Sequence, residues 1–219
     1  MITVKRREKE KEQRKRTILK AAQQLFFKKG FKSVTVESIA KQAKLSKGAV
    51  YLYFKSKEEI YAQILLNDIE KFNEKVFGVV EIGGTATNMM FNFSDIYIAF
   101  FLNKRELFRI LMTFMLHTDD LNFSAEMNRQ MIRATNKTIE VVDRILKHGL
   151  DTGEYSRKND IIKLRNAVWG LLNGIISLHL FAGKEATREE RIRSHVYEGL
   201  KVFIEGLKKS HSNPDDSGR

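Results

Sequence analysis

Apolar residues recur along most of this chain at intervals of three and four, the period of an amphipathic α-helix. Nowhere do they alternate with polar ones over a sustained stretch bounded by turn signals, as a half-buried strand would. The single proline, Pro214, lies in a polar C-terminal stretch and interrupts none of the helical patterns. The predicted fold is all-α. A first helix runs over 17–29, with Ile18, Ala22, Leu25 and Phe26 on its inward face and Gly30 as its stop. Residues 1–16, with KRREKEKEQRKR at their centre, have no apolar period and are expected to be frayed or partly helical. Three helices follow in quick succession, the third ending at Gly83-Gly84. Further helices are predicted over 85–102, 104–116, 124–150, 159–182 and 187–208, about nine in all. The last start is the best marked, because Thr187-Arg188-Glu189-Glu190 is a capping-box sequence. The tail 210–219, SHSNPDDSGR, reads as disordered.

The stretch from Gly30 to Lys57 carries the most chemistry. Thr35 is a good N-cap, and behind it Val36, Ile39, Ala40 and Ala43 fall on one face, with Glu37 in the first turn where the helix dipole favours an acid. This gives a helix of about two turns. After Lys44, Leu45 anchors a turn and Ser46 caps a second short helix whose opening residues, Lys47, Gly48 and Ala49, present little bulk and one cation. Val50 and Phe54, four apart, hold that helix to a core and leave Tyr51 and Tyr53 to point elsewhere. A helix that enters a DNA groove needs such a slim N-terminal turn. Ser56-Lys57-Glu58-Glu59 is a capping box opening a longer helix through Ile60, Ile64, Ile69 and Phe72, and Lys57 at its positive end suits a phosphate. The candidate DNA-binding residues are Thr35, Ser46, Lys47, Gly48, Ala49, Tyr51, Tyr53 and Lys57.

Charge points the same way. Residues 1–60 hold 17 Lys and Arg against 6 Asp and Glu, a net +11, while residues 61–219 hold 22 against 21, so nearly all of the chain's +12 lies on the side of the helix pair. One-sided positive charge is the footprint of a polyanion partner, although a charge run alone also fits a solvated face. The absence of cysteine excludes disulfides and thiolate chemistry and fits a cytoplasmic location. No secretory signal is visible, and the most apolar stretch, 89–116, is interrupted by Asp95 and by Asn103-Lys104-Arg105-Glu106, which argues against a membrane span.

The segment resembles the DNA-binding domain of the TetR family of repressors. Gly30-Phe31, Thr35-Val36, Ile39, Leu45-Ser46, Gly48, Val50-Tyr51, Tyr53-Phe54 and Lys57 stand where that family's pattern puts them, with no departure inside the motif, over the N-terminal quarter of the chain. The resemblance implies a three-helix helix-turn-helix head over residues 1–58, including the basic arm. A larger helical effector-binding and dimerisation domain would follow over 59–209. It further implies a homodimeric regulator, a repressor, that reads a palindromic operator and is released by a small effector.

Two parts of the body invite a role. The helix over 159–182 is apolar nearly all round and carries Gly170, Gly174 and Ser177, and each interior glycine costs about 1 kcal/mol against alanine, so close approach of another helix is the expected compensation. In proteins resembling TetR the last two helices form a four-helix dimer interface. On that reading Gly170, Gly174, Ser177, Val196, Leu200 and Phe203 face a symmetry mate, and the alternative is a monomer core. The second part is an aromatic and methionine cluster containing Phe91, Phe93, Tyr97, Phe101, Phe114 and Met115 besides four candidate effector contacts, Phe100, Phe108, Met112 and Trp169. The same spacing fits a plain core. Arg105, Arg109, Arg129 and Arg133 either meet an acidic group of the effector or are surface arginines four apart.

Catalysis has no support. The five histidines, His117, His148, His179, His195 and His211, show no metal-ligand spacing, and neither a GxSxG elbow nor a phosphate-binding glycine loop occurs. No cofactor, metal or enzymatic activity is expected. The rival reading is a helical small-molecule-binding or enzymatic domain whose basic head docks on a membrane surface or RNA.

Overall fold

The computed structural model describes residues 2–105, 107, 108, 112, 124–156, 160–180 and 182–208. Among them are eight α-helices and no strand: α1 (Ile2–Lys29), α2 (Val36–Gln42), α3 (Lys47–Tyr51), α4 (Lys57–Ile82), α5 (Ala86–Asn103), α6 (Ala125–Asp151), α7 (Ile161–Leu180) and α8 (Arg188–Lys208). The helix predicted over 104–116, with Arg109, Phe114 and Met115, lies largely outside the described residues. So do His117, His211 and the tail 210–219.

Most boundaries follow from local chemistry. Gly30, at φ 73°, closes α1 with its N–H on the Phe26 carbonyl, and Gly83 and Gly84, at φ 75° and 115°, end α4. Thr85 caps α5, Ser124 caps α6 and the Asp160 carboxylate caps α7. Two boundaries differ from expectation. Thr187 does not cap α8, which is entered instead through a 3-10 turn, Glu185–Thr187, where Arg188 pairs with Glu185. The first helix extends back to Ile2 rather than fraying before Thr17. Its exposed residues are mostly Lys, Arg, Glu and Gln, all good helix formers, and Arg6–Glu10 (3.1 Å) and Arg16–Glu12 (3.4 Å) pair one turn apart.

The chain forms two compact units, Met1–Glu70 with His117–Ala134 and Lys71–Leu116 with Thr135–Arg219. In the first, Ile18, Ala22 and Phe26 of α1 pack with Ile39 and Ala40 of α2, Val50 of α3, Phe54, and Ile60 and Ile64 of α4. This is a small core, sealed by Phe31 and Tyr61, whose rings lie 4.7 Å apart. In the second, α5, α7 and α8 pack together. Val168, Leu172 and Ile176 share the interior with Ile192, Val196, Leu200 and Ile204. The Glu154 carboxylate accepts from Ala86 N (2.6 Å) and Thr87 N (2.8 Å), tying the loop after α6 to the start of α5. These bonds to the ionised form keep Glu154 below the usual carboxylate range despite the opposing effect of its burial.

Candidate functional site

In the first unit, α2 and α3 are held by their caps. Thr35 and Ser38 form a reciprocal capping box: Ser38 N donates to Thr35 Oγ1 (3.2 Å) and Thr35 N to Ser38 Oγ (3.1 Å). The turn between the helices places Lys44 in the left-handed region, φ 56°, and returns Leu45 N to the Ala40 carbonyl at 2.9 Å. Ser46 then caps α3, accepting from Ala49 N at 3.1 Å. Val50 is fully buried and Phe54 nearly so, as their spacing predicts.

The opposite side of α3 is open. Gly48 is exposed, and a Cβ built on it meets no atom within 4 Å. Tyr51 is 47% and Leu52 81% exposed. Leu52 was overlooked in the sequence, although its place outside the 50/54 face was the available signal. Lys47 is not a free cation: its Nζ donates to Glu37 Oε1 at 2.6 Å, bracing α3 against α2. That hydrogen bond, and then the charge across it, raise the lysine pKa and lower the glutamate's.

Two expected contact residues have inward roles. Tyr53 is half-buried and packs against the head core. Lys57 opens α4 as expected, yet its Nζ donates to the Phe31 carbonyl (3.1 Å) and lies 4.3 Å from the centre of the Phe31 ring. It ties the start of α4 to the segment after α1.

In the second unit, three of the four expected effector contacts join one aromatic network. Phe100 stacks on Phe72 at 4.5 Å, Phe101 lies between Phe100 (5.0 Å) and Phe108 (4.8 Å), and Tyr97 joins Phe101 (4.8 Å) to Trp169 (5.4 Å). Met112 is half-buried. A polar thread runs through the network: Tyr97 Oη donates to Asn173 Oδ1 (2.7 Å), and Asn173 Nδ2 donates to the Trp169 carbonyl (2.9 Å). Burial pushes the Tyr97 hydroxyl well above its ordinary pKa. The Trp169 indole N–H is itself buried and has no hydrogen-bond partner among the described residues. Sequence reasoning overlooked Asn173, whose signal was an amide inside the apolar run of α7.

The candidate arginines divide between the two units. Arg105 pairs with Glu185 in the second unit, while Arg129 (2.6 Å) and Arg133 (3.3 Å) both pair with Glu126 in the first, and Arg109 lies outside the described residues. Arg105, Arg129 and Arg133 thus each already have a carboxylate.

The expected interface residues divide between two sides of α7 and α8. Gly170, Gly174 and Ser177 are exposed, and a Cβ at either glycine meets nothing within 4 Å. Val196 and Leu200 point the other way, fully buried within the unit, and Phe203 is half-buried. The helical period that put 196 and 200 together on an apolar face identified the inner face of α8. Its outer face carries Val202, 66% exposed, and Gly206, and the outer face of α7 carries Leu178, 69% exposed.

Among the described residues no group of three or more His, Cys, Asp or Glu is placed to hold a metal, and no helix is long and apolar enough to cross a membrane.

Residues 18–64, the span of this head, match the family of bacterial regulatory proteins, tetR family. The chain is 25% identical over 211 residues to the HTH-type transcriptional regulator YerO of Bacillus subtilis, covering 92% of this chain and 68% of that protein. It is also 25% identical over 195 residues to the HTH-type transcriptional regulator QacR of Staphylococcus aureus, covering 88% and 97%. Two further Bacillus subtilis regulators align over about a third of this chain, at 35% and 44% identity, and the aligned stretch spans 36% and 21% of their own length. The fold is that of the crystal structure of FadR from Bacillus subtilis in complex with stearoyl-CoA, with a TM-score of 0.66 at 20% identity over 87% of this chain and 98% of that one. These relatives are named as transcriptional regulators and not as enzymes. Residues 18–64 thus carry the DNA-binding domain of bacterial regulatory proteins of the tetR family, and over most of its length the chain is similar to proteins named as HTH-type transcriptional regulators.

Proposed function

We propose that the protein is a homodimeric repressor that reads a palindromic operator through α3 and is released by a small, mainly apolar effector. The observation that carries this reading is the open, low-bulk start of α3, presented beside an α2 capped by Thr35 and Ser38 and bonded to α3 through Glu37. Small residues at Gly48 and Ala49 allow the backbone to approach the floor of a groove, and Thr35, Ser46, Lys47 and Tyr51 flank that approach. Lys47 keeps two further N–H donors beyond its bond to Glu37 and exchanges that exposed pair for a phosphate or a base edge at little cost. Tyr53 and Lys57 act indirectly, by seating α3 and the start of α4.

Dimerisation uses the outer faces of α7 and α8, around Gly170, Gly174 and Ser177 with Leu178 and Val202, while Val196 and Leu200 support that face from within. The effector site is the aromatic network of Phe100, Phe108 and Trp169. Its support is the concentration of rings around one buried polar thread, and the stearoyl-CoA held by a protein of the same fold. The protein acts in the cytoplasm, where its operator is.

Genome-wide mapping of bound sites followed by footprinting of Gly48→Glu tests the reading. The open surroundings of Gly48 mean that the substitution leaves the fold unchanged, so melting temperature stays and operator binding is lost by bulk and charge. An unchanged footprint removes α3 from the groove.

A further inference from the structure

The helical extension of α1 ahead of the head core is not used by the site described above. Residues 5–16 carry eight Lys and Arg against three Glu. Arranged on the helix, they are not evenly mixed. Arg7, Lys11 and Arg14 follow the i, i+4, i+7 spacing that leads to Ile18, so they continue, beyond the core, the same face that Ile18 and Ala22 bury within it. All three are exposed and have no ion pair among the described residues. Glu10 and Glu12 are paired with Arg6 and Arg16, and Glu10 and Glu8 flank the stripe on either side, three residues from Arg7 and Lys11 respectively. Lys15 marks where the extension leaves the head: its Nζ meets Gln63 of α4 at 3.4 Å and stands 5.8 Å from the Phe54 ring.

We propose that this stripe of Arg7, Lys11 and Arg14 is a second DNA-contacting surface, which lies along the phosphate backbone beside the groove that α3 enters. The inference rests on the reading of the head as a duplex-DNA binder. The argument is charge complementarity in a fixed register. A solvated charged helix mixes its signs around the circumference, whereas here two of the three acids are paired with cations off the stripe and the cations on it have no ion pair among the described residues. The stripe is about 10 Å long at 1.5 Å per residue, the distance over which one DNA strand presents about three phosphates along the duplex axis. It supplies affinity without sequence information, since contacts to phosphate position a protein and do not read bases.

The test is the salt dependence of binding to the mapped operator and to an unrelated duplex, for the full chain and for the triple variant Arg7→Gln, Lys11→Gln, Arg14→Gln. Glutamine keeps the helix propensity, which circular dichroism checks. Each lost phosphate contact lowers the slope of log K against log salt by about 0.9, so the triple variant should lose about 3 in slope, and several hundredfold in affinity at about 0.1 M salt, for each protomer bound, and about twice that slope for a dimer on either duplex. Its preference for the operator should be unchanged. A matched control, Arg6→Gln, Lys9→Gln, Arg16→Gln, removes the same charge off the stripe and should change the slope by less than about 1. An equal fall for both variants, or an unchanged slope for the stripe variant, overturns the proposal. So does an unchanged DNA slope accompanied by loss of binding to phosphatidylserine vesicles, which would assign the stripe to a membrane surface. Loss of footprint in Gly48→Glu with an intact slope in the stripe variant sinks this inference alone. A footprint unaffected in Gly48→Glu sinks the reading of the head.

Discussion

Replacing Gly170 and Gly174 together by alanine separates a partnered α7 from a solvent-facing one, because the two cases differ in sign. Both glycines lie inside a 20-residue helix, and beyond the backbone of its own turns a methyl group on either would meet nothing among the described residues within 4 Å. Within one protomer, helix propensity is therefore the only contribution. It favours alanine by about 0.8–1.0 kcal/mol at each position, so the double variant of an unpartnered chain is stabilised by about 2 kcal/mol. A partner helix seated on the glycines reverses this. By two-fold symmetry the substitution inserts four methyl groups into one contact, and overpacking a well-fitted contact costs about 1–3 kcal/mol, more for Gly174→Leu. Tenfold in dissociation constant corresponds to 1.4 kcal/mol, so the dimer should weaken by roughly 10-fold to 100-fold while the isolated protomer becomes harder to unfold. Sedimentation velocity over a dilution series gives the first quantity and urea unfolding at low protein concentration the second. The proposed interface fails if the double variant gains stability, keeps the wild-type mass at every dilution and retains full operator affinity.

Three further outcomes test the packing. Gly149→Ala should destabilise the second unit by about 1–3 kcal/mol, read as a lower melting temperature, because its methyl would overlap the buried Tyr155 ring and come within 2.9 Å of Ala86 Cβ. An unchanged melting temperature would mean that the ring is not seated there. Lys44→Gly should stabilise the head by about 0.5–1 kcal/mol in thermal unfolding, since the left-handed φ of 56° strains any residue with a Cβ; a destabilised variant refutes the strain. Burial pushes the Tyr155 hydroxyl up to about 12 from an ordinary 10.0, so its contribution to stability is complete below pH 10 and is lost as pH rises from 10 to 12, when only the unfolded state ionises. Urea midpoints of Tyr155→Phe should fall less than those of the wild type across that window, and equal falls would show that the hydroxyl is solvated.

What was legible in the sequence is what neighbouring residues decide. Thr35, Ser46, Ser56, Thr85 and Ser124 each cap a helix because the bond they accept is three residues away, and Gly30 and Gly83-Gly84 end helices through their own φ. The head core followed from Ile18, Ile39, Val50 and Phe54 at helical spacing. Apart from Thr187, which ends the 3-10 turn Glu185–Thr187 rather than capping α8, the missed features join distant residues. Lys57 has the residue type and place of a phosphate ligand, yet its ammonium reaches the Phe31 carbonyl 26 residues back. Glu154 caps a helix that starts 68 residues earlier. Val196 and Leu200 show a further limit: periodicity finds an apolar face of α8 but does not say whether its neighbour is α7 of the same chain or a second copy. The extension of α1 was undervalued for a different reason, since the absence of an apolar period argues against packing and not against helix.

The chemistry of the aromatic network bears on what the proposed effector has to be. An acidic group would need a cation, and Arg105, the described candidate in the same unit, is engaged by Glu185, so it would have to displace an ion pair already in place. A neutral compound meets no such opposition: it gains from ring surfaces at Phe100, Phe108 and Trp169, and an acceptor atom on it can take the Trp169 indole N–H, which has no partner among the described residues. Filling that one unsatisfied donor is worth more than adding a bond elsewhere, because the cost of burying it is already borne by the folded protein. Release of DNA then follows from linkage. An effector that favours a head arrangement unsuited to two successive half-sites weakens operator binding by some factor, and operator DNA weakens effector binding by the same factor. A compound that fills the network equally well in both arrangements would raise the melting temperature and leave the operator bound, so stabilisation alone does not identify an effector, whereas reciprocal weakening does.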